Sequence, residues 1–544
     1  MAATNPNAVS APAQRPPARA DETPPSDPPN RPPTPTEPAL HGGRGWIQSV
    51  RRPGTLALAC VAILGVSFTV HPQFDPDFWW HVLVGDRILD GNFPHTDPFT
   101  FTAAGHAFIP QEWGSEVIYA LLLHVGMWAV ICLMAVVTVA GLGIAIHRAR
   151  VNTKSPAVLA VVGALSLAVA LSTFGPRSQM FTFAFSALLL AILDRHRRAG
   201  GRAVWWCVPL FCLWGNLHGG FSIGLGIFVV VMVAEVIERR ARPTRSPRPP
   251  RTRILALVLG ASVAAIGVNP NGYGILLYAG GLLANPVAQA NLDEWRSPSF
   301  HDPTFLPLAL LIVLVVVCAS KARRVPLADI LLAATGLILT LYAVRSLSLL
   351  VVLTAPLLVD GLDAWATEIG LLRRRAAPLA MAFCALALAV VTAVSVVVIA
   401  QRLSDPLNNP RSAAYPVAVA DAVCATPSSN VLEPYGSAGW LLFQMVRGAP
   451  RPCTYHPVFI WGDAQSVGPR IFQEYLDAVA ARPDALAILD AEHVQTVWQA
   501  ADDALPLLLQ RTPGWRCVYG AGQQVIYTRS ALAATWHADR SGCP

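Results

Sequence analysis

The sequence predicts an all-α polytopic membrane domain of about eleven transmembrane helices, followed by a C-terminal α/β domain outside the membrane. Three observations carry this prediction. Of 544 residues, 53% are hydrophobic and 13% are charged, against about 25% charged in an average soluble protein. Apolar segments recur from residue 55 to residue 400 at lengths close to the roughly 20 residues a helix needs to cross a hydrocarbon core. From residue 401 onward the composition returns to that of a soluble chain.

Residues 1–44 are rich in Pro, Ala and Thr and almost free of large apolar side chains. Nothing there offsets the entropy of ordering, so a disordered, Pro-rich cytoplasmic tail is expected. No apolar run followed by a small-residue cleavage site marks a signal peptide.

The membrane domain is expected over 45–400, with spans near 55–70, 127–146, 156–173, 180–193, 203–217, 221–236, 254–268, 304–319, 326–342, 346–362 and 377–400. Cations test the layout. Arg51 and Arg52, Arg148 to Lys154, Arg195 to Arg202, the run 239–253, Lys321 to Arg324 and Arg373 to Arg375 all fall on one side. By the positive-inside rule that side is the cytoplasm of an inner (plasma) membrane protein. The large first loop, 72–116, the loop 269–303 and the segment 401–544 then lie outside. The formal charge of +7 is spent on this clustering, and nucleic acid is set aside as a partner.

In 401–544, short apolar runs at 430–434, 486–490, 516–519 and 524–527 alternate with helix-like stretches at 471–481 and 500–509, which suggests a small α/β domain. Six of the ten cysteines lie in apolar spans and read as small core residues. Cys424, Cys453, Cys517 and Cys543 lie in the outer domain, where an oxidising compartment permits two disulfides. Three pairings are open, and Cys424–Cys453 is favoured.

Unusual polar residues collect on the expected outer face. The first loop carries Asp75-Pro76-Asp77-Phe78-Trp79-Trp80-His81, then Asp97 and Glu112; later spans end at Arg177, at Asn216 and His218, at Glu294 and at Arg345. A carboxylate can take a proton from a hydroxyl nucleophile, while arginine forks and imidazoles can neutralise charge developing on a phosphate leaving group. This set suits glycosyl transfer from a lipid-linked phosphate donor. Each group also has a plainer reading. Asp75 and Asp77 can cap a helix, Trp79 and Trp80 read as anchors in an aromatic belt, and Arg177 can snorkel to the interface. Asp293, Glu294 and Arg296 can pair on the surface. No metal-binding signature stands out, since a lone Asp-x-Asp is weak evidence for a divalent ion, and no Walker sequence is present. No cofactor is expected.

These residues resemble the C-type glycosyltransferase superfamily of polytopic enzymes, in which a large first outer loop carries an essential acid. More closely, the chain is similar to bacterial membrane proteins described as glycosyltransferase-like. They share Asp75-x-Asp77-x-Trp79-Trp80-His81, Asp97-Pro98-Phe99-Thr100, Glu112-Trp113, Arg177-x-Gln179, Trp214-x-Asn216-x-His218-Gly219-Gly220-Phe221, Asn269-Pro270 and Glu294-Trp295. The resemblance continues into Tyr435-Gly436 and Pro513-Gly514-Trp515-Arg516. It departs where the group tends to carry Asp-Gly-Arg and this chain reads Tyr455-His456-Pro457-Val458.

The resemblance implies that Asp77 or Asp75 is the base, Asp77 being favoured, and that a polyprenyl-phosphate sugar is the donor, within membrane lipid. His81, Asp97, Glu112, Arg177, Asn216, His218, Glu294 and Arg345 would bind substrate, and the acceptor is open. The competing reading is a non-enzymatic transporter, or an assembly factor for envelope polysaccharide. A transporter of this kind should show internal repeats, and none is evident.

Overall fold

The computed structural model describes residues 53–70, 75–153, 155–241, 251–283, 285–322, 325–370, 378–404, 417–425, 427, 429–448, 453–534 and 543. The expected tail at 1–44 lies outside them.

Among the described residues, fifteen α-helices precede the C-terminal part: α1 (Pro53–Thr69), α2 (Phe78–Leu89), α3 (Trp113–Val125), α4 (Met127–Ala149), α5 (Pro156–Ala170), α6 (Gln179–Ala199), α7 (Cys207–Leu217), α8 (Phe221–Ala241), α9 (Arg251–Ile266), α10 (Gly274–Leu283), α11 (Pro286–Asn291), α12 (Leu306–Lys321), α13 (Leu327–Tyr342), α14 (Leu347–Glu368) and α15 (Pro378–Ser404). Each segment expected to span a membrane is helical. Among the described residues, six helical segments are long and apolar enough to cross one, and four more apolar helices are shorter, including those of α1, α9 and α13. The protein is therefore a multi-pass membrane protein, but by this measure six spans stand where eleven were expected. Four of the five missing spans are short, α1, α9 and α13 with 16 or 17 residues and α7 with 11, while the fifth, α6, is long enough at 21 residues but ends in Asp194, Arg195, Arg197 and Arg198.

Local chemistry sets the ends. Ser155 accepts from the Val158 N–H and Pro156 takes the first turn of α5, where a missing N–H costs nothing. Gly126 joins α3 to α4 at φ 142°, a conformation that L side chains rarely adopt. Helix α14 is apolar nearly all round and is buried nearly all round, which makes it the axis of the bundle. It packs on α5, α12 and α13, while α1 packs on α5 and α15 and α4 on α6. Helix α15 shows most of its apolar surface outward, as a lipid-facing helix does.

At the end of the bundle away from loop 72–116, Arg148 is buried between two acids. Its Nε lies 2.6 Å from Asp194 and its Nη2 bonds Asp329. This ties α4 to α6 and α13.

The C-terminal part adds α16 (Val417–Cys424), β1 (Val431–Leu432), α17 (Ala438–Phe443), α18 (Ala464–Val479), α19 (Ala485–Ala491), β2 (Thr496–Ala500), α20 (Ala504–Leu509), β3 (Trp515–Ala521), β4 (Gln524–Arg529) and α21 (Ser530–Ala533). Its sheet runs β1-β2-β4-β3, with β1 parallel to β2 and the other pairs antiparallel. The run 486–490 lies in α19 rather than in the sheet, while β2 supplies the strand that pairs both β1 and β4. Cys424 pairs with Cys453 and Cys517 with Cys543.

The first loop is built into this domain. Phe101 N–H donates to the Val458 carbonyl and Val458 N–H to the Phe99 carbonyl, both at 3.2 Å, and Val458 bridges to Val431. The Trp461 ring packs edge-on against Trp80 and Phe99. Trp79 and Trp80 are buried in this joint, Trp79 against Phe443. They are not belt anchors, because their partners come from the far end of the chain.

Candidate active site

Two turns and four helix ends bring polar side chains to one cavity of about 70 Å³. Asp75 and Asp77 stand before α2, with Asp77 at its N-cap position and His81 one turn on. Glu112 caps α3, Arg177 precedes α6, and His218 closes α7. Glu294 comes from the short turn Asp293–Trp295, and Arg345 from the turn Val344–Ser346 ahead of α14. All eight line the cavity, together with Phe78, Tyr119, Pro176, Ser178 and Gln179.

One wall is ionic. Arg177 Nε pairs with Asp75, and its Nη2 lies 3.5 Å from Glu294. Arg345 lies 3.0 Å from the other Glu294 oxygen and stacks over Trp295 at 4.7 Å. Gln179 donates to the Arg345 carbonyl at 2.6 Å. The carboxylates around Arg177 hold its guanidinium charged despite burial.

Asp77 is set apart from that wall. Its Oδ1 accepts from Trp80 Nε1 at 3.0 Å, and its N–H donates to Asp75 at 3.0 Å. Gly462 of the C-terminal domain closes over it: a Cβ there would overlap the Asp77 carboxylate and the Trp80 indole. Burial, and then the Asp75 charge, push the Asp77 carboxyl well above its usual range.

The floor is a row of acids and imidazoles. Glu116 Oε1 lies 3.0 Å from His81 Nδ1, His81 Nε2 is 3.5 Å from Glu112, and His218 Nε2 is 3.4 Å from the other Glu112 oxygen. Burial lowers both imidazoles to about 3, so they are neutral and these contacts are not ion pairs. Burial raises Glu112 to about 7.

Two expected site residues do not line the cavity. Asp97 accepts from the Phe99 and Thr100 N–H groups and, at 2.7 Å, from Trp461 Nε1, which makes it a joint to the C-terminal domain. Asn216 accepts from Trp113 Nε1 at 2.7 Å and donates to two backbone carbonyls, which ties α7 to α3 and α9. Sequence reading missed Glu116, although it stands one helical turn from Glu112 on the same face. It also missed Tyr278 and Asp463, which reach Glu112 through Gln111: Gln111 donates to the Tyr278 hydroxyl at 3.0 Å, and that hydroxyl to Asp463 at 3.3 Å. No local pattern signals those two. Among the described residues, no group of three or more His, Cys, Asp or Glu side chains is placed to hold a metal ion.

No protein-family model and no curated relative matches the sequence. Among solved structures the chain is similar to the archaeal oligosaccharyltransferase AglB from Archaeoglobus fulgidus, in complex with an inhibitory peptide and a dolichol-phosphate. The TM-score is 0.50 at 12% identity, over 88% of this chain and 74% of that one. The likeness is one of fold: a helical membrane domain followed by a C-terminal α/β domain.

Proposed function

We propose that the protein is an integral membrane glycosyltransferase that moves a sugar from a polyprenyl-phosphate donor to an acceptor hydroxyl. The observation that carries this reading is the cavity itself, where two arginines face a carboxylate that forms an ion pair with neither. The fold likeness to an oligosaccharyltransferase held with a dolichol-phosphate supports the donor class. In this reading the membrane domain covers 45–400 and crosses the inner membrane eleven times, the N-terminus is cytoplasmic, and 401–544 is extracytoplasmic, with the cavity on the outer face.

Arg177 and Arg345 seat the donor phosphate, since arginine offers it paired donors and keeps its charge when partly buried. Asp75 holds Arg177. Asp77 takes the acceptor hydroxyl proton, and its desolvated setting makes it a stronger base than a carboxylate in water. The freed oxygen attacks the anomeric carbon, the carbon–phosphate-oxygen bond breaks, and polyprenyl phosphate leaves with the electron pair, which inverts the centre.

The test is release of polyprenyl phosphate from a labelled polyprenyl-phosphate hexose or pentose by purified protein supplied with a membrane extract as acceptor source. Asp77→Asn should reduce release by roughly 10²- to 10⁴-fold, as loss of a general base does. Full activity in that variant sinks the assignment. Passage of intact donor across vesicles without release would favour a transporter.

A further inference from the structure

The row of acids and imidazoles on the cavity floor has its protons fixed by a single backbone group. The Gly220 N–H donates to His218 Nδ1 at 2.9 Å. The Thr182 hydroxyl, itself accepting from Trp214 Nε1 at 2.9 Å, stands 2.7 Å from the same nitrogen. Nδ1 is therefore an acceptor, and the neutral ring carries its proton on Nε2. That N–H faces Glu112 Oε1, so a proton on Glu112 belongs on Oε2, beside His81 Nε2. With that proton 3.5 Å from His81 Nε2, the ring's own proton belongs on Nδ1, which lies 3.0 Å from Glu116 Oε1. Glu116 is 1% exposed and its second oxygen has no hydrogen-bond partner. A buried carboxyl with a bare oxygen is costly unless it serves a purpose.

We propose that Glu112 is the general acid of this site, delivering its Oε2 proton to the departing phosphate oxygen, and that Glu116 is the positioning residue that sets the tautomer of His81. The proposal rests on the glycosyl-transfer reading above. As the bond between the anomeric carbon and the phosphate oxygen breaks, its electron pair goes to oxygen and the Glu112 proton joins it. The acceptor proton passes to Asp77, so one carboxyl loses the proton that the other gains. Both reset by exchange with water when products leave. Glu112 is faced by His81 and Glu116 from α2 and α3, by His218 at the end of α7, by Arg345, Asp75 and Glu294 across the cavity, and by Tyr278 and Asp463 through Gln111. Its carboxyl near 7 matches what acid catalysis at neutral pH needs.

The test uses the full chain in detergent or nanodiscs and has two arms. In the first, ¹⁵N NMR of labelled histidine should show His81 as the Nδ1–H and His218 as the Nε2–H neutral tautomer, and infrared difference spectra should show a carboxyl band that titrates near neutral pH. Glu112→Gln should abolish that band. Glu116→Gln should displace its midpoint and alter the His81 signals alone. A His81 proton on Nε2, or a band unmoved in Glu116→Gln, overturns the tautomer chain.

In the second arm, polyprenyl phosphate release is followed against pH. Wild-type kcat should fall on the alkaline side as Glu112 deprotonates. Glu112→Gln should lower kcat roughly 10²-fold or more and remove that limb, while Glu116→Gln should shift the limb with KM unchanged. An alkaline limb that survives in Glu112→Gln overturns the general-acid role. If the wild-type protein releases nothing from either probe, the transfer reading fails and the acid role with it, while the first arm still decides the proton arrangement.

Discussion

Glu294 lies 3.0 Å from Arg345, and its second oxygen reaches toward Arg177, so one internal carboxylate occupies the space between the two cations proposed to seat a phosphate. A donor phosphate and Glu294 would compete for the same guanidinium forks. Glu294→Gln should therefore tighten binding of polyprenyl phosphate rather than weaken it. All three side chains are about one-third exposed or less, and such pairs contribute up to about 1 kcal/mol, so the gain should be roughly two- to fivefold. Arg345→Gln should weaken the same binding. Equilibrium binding of polyprenyl phosphate to protein in nanodiscs measures both, and a weaker Glu294→Gln complex would assign Glu294 to substrate instead.

The contact of Gly462 with Asp77 and Trp80 makes a second prediction. A methyl at Gly462 has no room unless the C-terminal domain lifts or the Asp77 side chain turns away. Gly462→Ala should destabilise the joint by about 1–3 kcal/mol, the range for overpacking, and reduce transfer. Gly436 is the control, since a Cβ there meets nothing within 4 Å, and Gly436→Ala should be silent. Limited proteolysis of the domain joint, read beside activity, separates the two variants. Equal protection of both would show that the joint has slack.

The parts of this architecture that the sequence revealed are those governed by local physics. Apolar runs near span length became helices because no other structure satisfies backbone groups in lipid. Ionisable residues stood out against an apolar background, and eight of them share one cavity. The failures at Asp97, Trp79 and Trp80 share one cause, which is partners distant in sequence. Asp97 looked like a site acid, but Trp461 takes its second oxygen from 364 positions away. Trp79 and Trp80 looked like belt anchors until Phe443 and Trp461 covered them. The run 486–490 failed for a local reason: four apolar residues and an aspartate cannot distinguish a strand from a short buried helix, and the run is a helix.

Stability should depend on pH in two opposed ways. The Glu112 carboxyl rises from 4.5 in the unfolded chain to about 7 in the fold, so the folded state binds its proton more tightly and stability falls as pH rises through that window. His81 and His218 fall from 6.5 to about 3, so the folded state binds their protons less tightly and stability falls as pH drops below 6.5. In Glu112→Gln the Glu112 part of the first effect vanishes, while the raised Asp77 carboxyl keeps its own part. Thermal unfolding in detergent should then show midpoints that rise with pH up to neutrality and level off, where the wild type shows a flatter profile. Parallel profiles for the two proteins would place the Glu112 proton elsewhere.

Arg148 tests the far end of the bundle independently of the site. It is 4% exposed and faces Asp194 and Asp329. Arg148→Met leaves the buried Asp329 without the guanidinium it bonds and should cost about 3–5 kcal/mol, as breaking a buried pair does. Asp194 fares better, because Arg198 at 3.6 Å and Arg197 at 3.9 Å remain beside it. The double variant Arg148→Met/Asp329→Leu should therefore recover most of the loss, since it removes the stranded charge and fills its space. Chemical unfolding in mixed micelles reads the three proteins. A single variant as stable as the wild type would mean that solvent or lipid headgroups reach Asp329, and that the cluster fastens α4 to α13 less tightly than its geometry implies.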